Sequence, residues 1–199
     1  MEDIAGLLEF KLKSKTSPLW PQKVIANFDV FLKDHAAAEK KAMSTALSFI
    51  AKYPDQPELV KTMFSIAKEE LEHFEQITEL LHKRNQGLKS DEKDPYIQEL
   101  LKELRHGVRD RFLDRLLLAA IVENRGCERF GLVAGALSED DQLKAYYEHL
   151  SREEAKHYGQ YIKLARLYFE KNEIEKRLME LLEAEARIVN ALPITPMLH

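Results

Sequence analysis

The chain has 199 residues and a formal net charge of −4; 32% of its residues are charged, and it has only 7 glycines and 7 prolines. This length is enough for one domain with a full core, and the scarcity of helix breakers favours a mostly helical protein. No uncharged apolar run approaches the length of a membrane span, and the acidic start is unlike a secretory signal. The single cysteine, Cys127, cannot form an internal disulfide, so we expect a cytoplasmic protein. The net charge provides no general attraction to nucleic acid.

Apolar residues recur with helical spacing through most of the chain, and we expect a short helix and a loop before Trp20. The longer predicted helices span about 20–53, 57–87, 109–137, 138–169 and 172–191, with a short helix at about 96–106. Gly87 is the predicted C′ residue of the second helix, Ser138 with Asp141 a capping box, and Asn172 an N-cap.

The connections predict how these helices are wired. Short links join the long helices into two hairpins, and residues 87–108 form the longer crossover between the hairpins. This is a known connection pattern of four-helix bundles. We therefore predict an all-α fold: a four-helix bundle with a crossover connection and flanking shorter helices. It forms a single domain over residues 1–199, with its core at about 20–170 and a C-terminal helix at about 172–191.

The pattern Glu-x-x-His occurs in two of the predicted helices. It is found in "KEELEHFEQ" at 68–76, as Glu70 and His73, and in "REEAKHYGQ" at 152–160, as Glu154 and His157. Residues three and four apart share one face of a helix, so each pattern aligns a carboxylate and an imidazole with apolar neighbours. The spacing predicts that both pairs point inward.

Each of the other two long helices carries one glutamate on its apolar stripe. These are Glu39 and Glu123, and each precedes the glutamate of a Glu-x-x-His pattern by 31 residues. If both hairpins turn alike, each lone glutamate lies level with one pattern. The two halves are then related by a pseudo-twofold axis.

Four buried carboxylates require compensating positive charge. Two divalent cations and two neutral histidines would balance them, and an oxygen-rich set with one imidazole per metal suits iron or manganese better than zinc. A glutamate from each of two helices plus Glu-x-x-His from the other two is the ligand set of ferritin-like dimetal proteins. The predicted ligands are Glu39, Glu70, His73, Glu123, Glu154 and His157.

Nearby residues have plainer interpretations. Cys127 is expected to be a small core residue rather than a ligand, and Tyr158 and Tyr161 to be packing residues. Glu128 is either solvated or in contact with a ligand. His35 is either a packed core histidine or a hydrogen-bond partner of a ligand.

Four segments resemble the bacterial tRNA hydroxylases that act on 2-methylthio-N6-isopentenyladenosine, the modified base beside the anticodon. They are "DHAAAEKKAMSTALSFIAKY", "AKEELEHFEQITELLHKR", "AAIVENRGCERF" and "SREEAKHYGQYIKLARLY". The resemblance runs from about Trp20 to about Ala186, while the N-terminal segment and the "PITPMLH" tail depart from it. It implies a ferritin-like di-iron domain, two iron ions held by the same six residues, and O2 as co-substrate. It also implies a tRNA substrate hydroxylated on its isopentenyl side chain, with electrons from an external reductase or ferredoxin.

A tRNA substrate requires basic residues near the site. The candidates lie in the crossover and at the start of the third long helix: Lys83, Arg84, Lys89, Arg105, Arg109, Arg111 and Arg115. Acidic neighbours nearly cancel their charge, so an ordinary mixed-charge surface is an equal interpretation. Alternative functions are iron storage or ferroxidase activity of the ferritin kind, a di-iron oxygenase with another substrate, and a metal-free interaction bundle.

Overall fold

The computed structural model describes residues 10–90, 92–138 and 142–199, and in these ranges the chain forms helices and loops but no strand. The helices are α1 (Trp20–Ala26), α2 (Phe28–Lys52), α3 (Pro57–Lys83), α4 (Pro95–Lys102), α5 (Val108–Ala136), α6 (Gln142–Tyr168) and α7 (Lys171–Ala191). The predicted all-α class is confirmed. In the same ranges, no helix has an apolar stretch long enough to cross a bilayer.

The prediction of one continuous first helix over 20–53 is wrong. The helix is divided at Asn27, whose backbone leaves the helical region with φ −133° and ψ 43°. The Asn27 side chain donates a hydrogen bond to the carbonyl of Lys23 at 3.0 Å. Asparagine competes in this way with backbone hydrogen bonding, which explains why the helix is interrupted here.

The prediction of Gly87 as the C′ residue of α3 is also wrong. Asn85 takes the left-handed conformation instead, with φ 56°. The N–H of Gln86 donates to the carbonyl of Leu81 at 2.8 Å, and that of Asn85 to His82 at 2.9 Å. These two bonds define a Schellman motif, and asparagine is the residue after glycine that most readily adopts its left-handed position.

Other predicted ends need smaller corrections. α4 ends at Lys102 rather than 106, and Asp94 caps its start by accepting hydrogen bonds from the N–H groups of Tyr96 and Ile97. α7 begins at Lys171 with Glu170 as its N-cap, so Asn172 lies inside the first turn. The predicted Ser138–Asp141 cap and the predicted short helix before Trp20 fall partly on 139–141 and 1–9, outside the described residues; residues 10–19 form no helix.

The chain divides into two compact units. The hairpin unit comprises Gln22–Glu92 and Thr195–Leu198, and its α2 and α3 pack along each other. Both helices bury apolar side chains: Phe31, Leu32, Ala46 and Phe49 from α2, and Leu59, Met63, Ile66, Ile77 and Leu81 from α3. The predicted single domain over 1–199 stays a prediction.

The large unit comprises the described residues of Met1–Pro21 and Lys93–Ile194, with His199. Its α5 and α6 form the second hairpin, and α7 packs against both α5 and α4. A cluster of Tyr96, Leu100, Leu104 and Leu118 joins these elements. Gly107, with φ 98°, turns the chain into α5 in a conformation that favours glycine.

Candidate metal centre

Three predicted ligands meet in the hairpin unit. Glu39 lies on α2, and Glu70 and His73 lie on α3; their exposed fractions are 3%, 0% and 5%. One ligand atom of each lies within 4.8 Å of the others. Nδ1 of His73 is 3.7 Å from Oε2 of Glu39 and 3.6 Å from Oε2 of Glu70. The helix spacing therefore placed all three side chains correctly on the buried face.

The electrostatics of this group favour a positive charge. Burial alone would lower the pKa of His73, but close contact with the carboxylates of Glu39 and Glu70 raises it to about 10. The same two carboxylates would attract a divalent cation placed beside Nδ1, which would displace the proton. Two carboxylates and one imidazole, all buried, form a donor set that fits iron or manganese.

Glu39 has an additional neighbour on its own helix. His35 is fully buried one turn earlier, and its Nε2 lies 2.5 Å from Oε1 of Glu39. The interpretation of His35 as a hydrogen-bond partner of a candidate ligand is confirmed. This contact leaves Oε2 as the oxygen that faces His73.

The large unit contains a matching group. Glu123 lies on α5, Glu154 and His157 lie on α6, and all three are buried. One ligand atom of each lies within 4.8 Å of the others, and Nδ1 of His157 is 3.4 Å from Oε2 of Glu154. That oxygen is buried and accepts no hydrogen bond from a described residue. A buried carboxylate oxygen in this state is costly unless a cation is bound, so this donor set also fits a metal.

Glycine gives Glu154 room beside α5. A Cβ added at Gly126, one turn after Glu123, would lie 3.7 Å from Cγ of Glu154. The Glu154 side chain thus lies directly against the α5 backbone. Its approach depends on a small residue at this position, while alanine would still fit at ordinary contact distance.

The other residues noted near the site have structural roles. Cys127 is half-buried, its carbonyl accepts a hydrogen bond from Ser151 at 2.9 Å, and burial raises the pKa of its thiol. Glu128 accepts hydrogen bonds from the N–H and hydroxyl of Thr16 and from Arg125. It was predicted to be either solvated or in contact with a ligand; its side chain is 24% exposed, and the hydrogen bonds named here go to Thr16 and Arg125. The hydroxyl of Tyr158 accepts a hydrogen bond from the N–H of Phe10 at 3.2 Å.

Sequence reasoning missed two buried ion-pair groups in the large unit. Fully buried Arg125 donates from Nε and Nη2 to Oε1 of fully buried Glu185, at 2.9 and 2.7 Å. Buried Asp114 accepts hydrogen bonds from Arg105 and Arg177. Both groups join distant parts of the chain, and only the excess of charged residues on otherwise apolar helix faces could have indicated them.

The candidate basic residues for a tRNA surface are mostly paired with carboxylates. Five of the seven contact an acidic side chain within 4.0 Å: Lys83 with Glu79, Arg84 with Asp29, Lys89 with Asp34, Arg105 with Asp114 and Arg109 with Glu173. These pairs reduce the positive charge available for phosphate. The interpretation as a mixed-charge surface gains support.

The sequence was compared with protein-family models. The model described as tRNA-(MS[2]IO[6]A)-hydroxylase (MiaE) matches residues 5–199. The chain belongs to the MiaE family. The match includes the N-terminal segment from residue 5 and the "PITPMLH" tail, so the expectation that both ends depart from the family is wrong.

Individual relatives agree with the family. The chain is 36% identical over 169 residues to the tRNA 2-(methylsulfanyl)-N(6)-isopentenyladenosine(37) hydroxylase of Pseudomonas putida, covering 85% of this chain and 81% of the relative. It is 34% identical over 132 residues to the enzyme of the same name from Salmonella typhimurium, covering 66% of this chain and 48% of that relative.

A solved structure has the same fold. It is described as protein 43 with aldehyde deformylating oxygenase activity from Synechococcus, with a TM-score of 0.88, 33% identity and coverage of 94% of both chains. The predicted ferritin-like helical fold is thereby confirmed. MiaE family membership, together with a fold shared with an oxygenase, favours the hydroxylase interpretation over iron storage.

Proposed function

We propose that this protein is an O2-dependent di-iron monooxygenase that hydroxylates the isopentenyl side chain of 2-methylthio-N6-isopentenyladenosine in tRNA. The family match and the two named relatives support the reaction and substrate. The observation that carries the proposal is the repeated group of two buried carboxylates and one buried imidazole, one in each unit. A helical interaction module would have no need of this repeat.

The proposed metal ligands are the six predicted residues. Glu39, Glu70 and His73 would provide one half of a two-iron site, and Glu123, Glu154 and His157 the other. Four carboxylates and two neutral imidazoles balance two divalent cations, which removes the cost of burying unpaired charge. Each imidazole would bind through Nδ1, the nitrogen closest to the carboxylates in both units.

When held by these six residues, two ferrous ions would supply the binding positions and electrons that activate O2 for insertion of oxygen into a C–H bond. The chain's own residues keep the site dry and apolar. Ile66 and Ile77 flank the α3 ligands at helical spacing, Leu150 and Tyr161 flank those of α6, and all four are buried. An apolar surrounding suits an isopentenyl group and strengthens the electrostatic hold of the carboxylates on a cation.

The reaction requires external partners. One oxygen atom of O2 enters the C–H bond and the other leaves as water, which consumes two electrons and two protons. We assign the electron supply to a reductase or ferredoxin, and we place the protein in the cytoplasm, where its tRNA substrate resides.

The proposal is tested on tRNA itself. Nucleosides from cells with and without the protein are compared by mass, and we expect the hydroxylated isopentenyl nucleoside only in cells that contain it. Glu154→Ala should abolish this product, whereas Glu148→Ala, at an exposed site on the same helix, should not. If iron-loaded protein left the tRNA unchanged, the assignment of this tRNA base as the substrate would be refuted. Retention of two irons by Glu154→Ala would refute the ligand assignment.

A further inference from the structure

An irregular segment before α1, residues 10–19, lies against both helices of the hairpin in the large unit; we call it the strap. The N–H of Phe10 donates a hydrogen bond to the hydroxyl of Tyr158 on α6 at 3.2 Å. The carbonyl of the same residue accepts a hydrogen bond from the side-chain amide of Asn124 on α5 at 3.1 Å. These two bonds fix the start of the strap across α5 and α6.

A cavity of about 390 Å³ lies between the strap and these two helices. Its volume falls in the range of roughly 300–1,000 Å³ that is typical of small-ligand sites. Asn124 and Tyr158 line it from the helices, and they directly follow the candidate metal ligands Glu123 and His157. Successive helix residues point about 100° apart, so the cavity lies on the face of the hairpin next to the candidate ligands.

The strap side of the cavity combines positive charge with apolar surface. Its lining residues are Phe10, Lys11, Leu12 and Lys15. Both of these lysines are exposed, and neither forms an ion pair or a hydrogen bond with a described residue. Lys13 differs, because its Nζ lies 2.7 Å from a carboxylate oxygen of Glu183 on α7. Two of the three strap lysines are therefore available to an anion.

The charges beneath the strap cancel one another. Two buried arginines, Arg125 and Arg129, lie close to two carboxylates, those of Glu128 and Glu185, and Arg125 donates hydrogen bonds to both carboxylates. Burial lowers the pKa of Arg129 to about 10, which leaves it charged at neutral pH. Glu128 also lines the cavity, but its charge is compensated within this group. The strap has no acidic residue, so its two available lysines make the cavity positive.

A single RNA strand matches this lining. It has a negative charge at every phosphate, and its unpaired bases are held by proteins against aromatic and apolar side chains. Phe10, Leu12 and Tyr158 provide such a surface beside the two lysines. A free inorganic anion would use the lysines and leave the apolar lining empty.

We propose that the cavity under the strap binds one unpaired nucleotide of the anticodon loop. Lys11 and Lys15 neutralise the phosphates on either side of this nucleotide, and its base lies against Phe10 and Tyr158. The inference rests on the proposed function, since it takes tRNA as the substrate. It adds the surface that recognises the RNA strand beside the modified base, and this surface is separate from the paired basic residues of the crossover.

The test measures RNA binding by the full-length, metal-free protein, so its result does not depend on oxygenase activity. The probe is a fluorescently labelled anticodon stem-loop that carries the isopentenyl nucleoside, and fluorescence anisotropy gives its affinity at several salt concentrations. We expect Lys11→Gln and Lys15→Gln each to weaken binding roughly 5- to 10-fold and to reduce the magnitude of the salt slope by about 1. Lys11→Arg and Lys15→Arg keep the charge and should retain native affinity.

Lys13→Gln is the matched control, because it removes the same charge from the same strap at a residue that Glu183 already compensates. It should leave the salt slope unchanged and weaken binding less than either of the other two glutamine variants. A fully paired RNA hairpin of equal length is the second control. It offers phosphates without an unpaired base, so it should bind more weakly and lose little affinity with Lys11→Gln.

The outcomes separate this inference from the proposed function. Native affinity in Lys11→Gln and Lys15→Gln, or equal losses in all three glutamine variants, would overturn the strap site. Equal affinity for the stem-loop and the paired hairpin would overturn a cavity for an unpaired base. Each of these results leaves the hydroxylase standing, because that proposal is tested on the nucleosides of cellular tRNA. Conversely, lysine-dependent binding by a protein that leaves tRNA unmodified would support the strap site and remove the proposed function.

Discussion

Each candidate ligand places a charge or a titratable nitrogen where water is excluded. The carboxylates of Glu39 and Glu70 lie close to the imidazole of His73, and they raise the pKa of His73 to about 10. Groups gathered in this way oppose folding in the metal-free protein and are compensated when a cation binds. Affinity for metal and stability of the empty protein should therefore change in opposite directions.

Replacement of Glu70 by glutamine tests this opposition. The amide has the same shape but removes one buried negative charge, so we expect the metal-free protein to gain about 1 kcal/mol in free energy of unfolding. The same change should remove most of the iron bound after anaerobic reconstitution. Thermal unfolding and metal analysis of one preparation measure both effects.

Glu72→Gln is the matched control, because Glu72 is exposed two residues along the same helix. It should change the free energy of unfolding by less than about 0.5 kcal/mol and leave the iron content unchanged. Full iron content in Glu70→Gln would contradict the role of this carboxylate.

Helical spacing was sufficient to predict that the six candidate ligands lie on buried helix faces, because their burial follows a rule that acts within one helix. The pair of Arg125 and Glu185 obeys no such rule, since the two residues are 60 positions apart on different helices. The contact of His35 with Glu39 was left open for another reason. Spacing puts the two side chains on one face, but rotamers decide whether they meet.

Helix ends depend on single residues more than on periodicity, and this is where the predicted elements were corrected. The apolar pattern runs unbroken past Asn27, so it could not reveal the division between α1 and α2. At the end of α3 two residues could adopt the left-handed conformation, and glycine was the more obvious choice. The Schellman hydrogen bonds select Asn85.

Separate substitutions of Asn85 and Gly87 test which of the two residues ends α3. Asn85→Gly should stabilise the protein by about 0.5–1 kcal/mol, because glycine adopts φ 56° without strain. Gly87→Ala should cause no loss, since an added Cβ meets nothing within 4 Å and the backbone there has no positive φ. Chemical denaturation of the two variants measures both free energies. A loss of about 1 kcal/mol in Gly87→Ala would restore Gly87 as the terminating residue.

Asp114 connects α5 to its neighbours in the large unit. It accepts hydrogen bonds from Arg105, which follows α4, and from Arg177 on α7, whose guanidinium also donates to the carbonyl of Glu103. Asp114→Asn should therefore lower the free energy of unfolding by about 2 kcal/mol at neutral pH, since charge-assisted bonds are the stronger kind.

The same carboxylate gives this loss a pH dependence. Burial alone would raise the pKa of Asp114, but hydrogen bonds from Arg177 and Arg105 hold it below its usual range. In the unfolded chain the group titrates at about 3.9, so its stabilisation is complete above that pH and is lost as the pH falls toward the folded pKa. Melting curves of native and Asp114→Asn protein should converge below about pH 4. A constant difference down to pH 3 would show that the aspartate charge is not responsible.

The balance of charge over the whole chain limits how it can bind RNA. The net charge is −4, and most candidate basic residues already contact carboxylates. Few cationic side chains are then available to neutralise phosphates and release their counterions. Recognition should depend more on the modified base than on the backbone.

The salt dependence of tRNA binding measures this directly. With about three phosphates neutralised, affinity should fall by roughly 50-fold between about 50 and 200 mM salt. Fluorescence anisotropy with an anticodon stem-loop gives the slope, and the unmodified stem-loop is the control. No salt effect would argue against an RNA substrate, while a slope near −8 would reveal a basic surface larger than the paired residues suggest.

The indole of Trp20 offers a built-in optical reporter. It is the only tryptophan in the chain, it is 2% exposed, and the guanidinium of Arg129 lies 5.1 Å from its ring. Thr16, four residues earlier, is tied to Glu128 on the same helix as Arg129. Detachment of this N-terminal stretch would wet the indole and shift its emission to longer wavelength while circular dichroism stays constant. Local release and global melting thus produce separable signals in one cuvette.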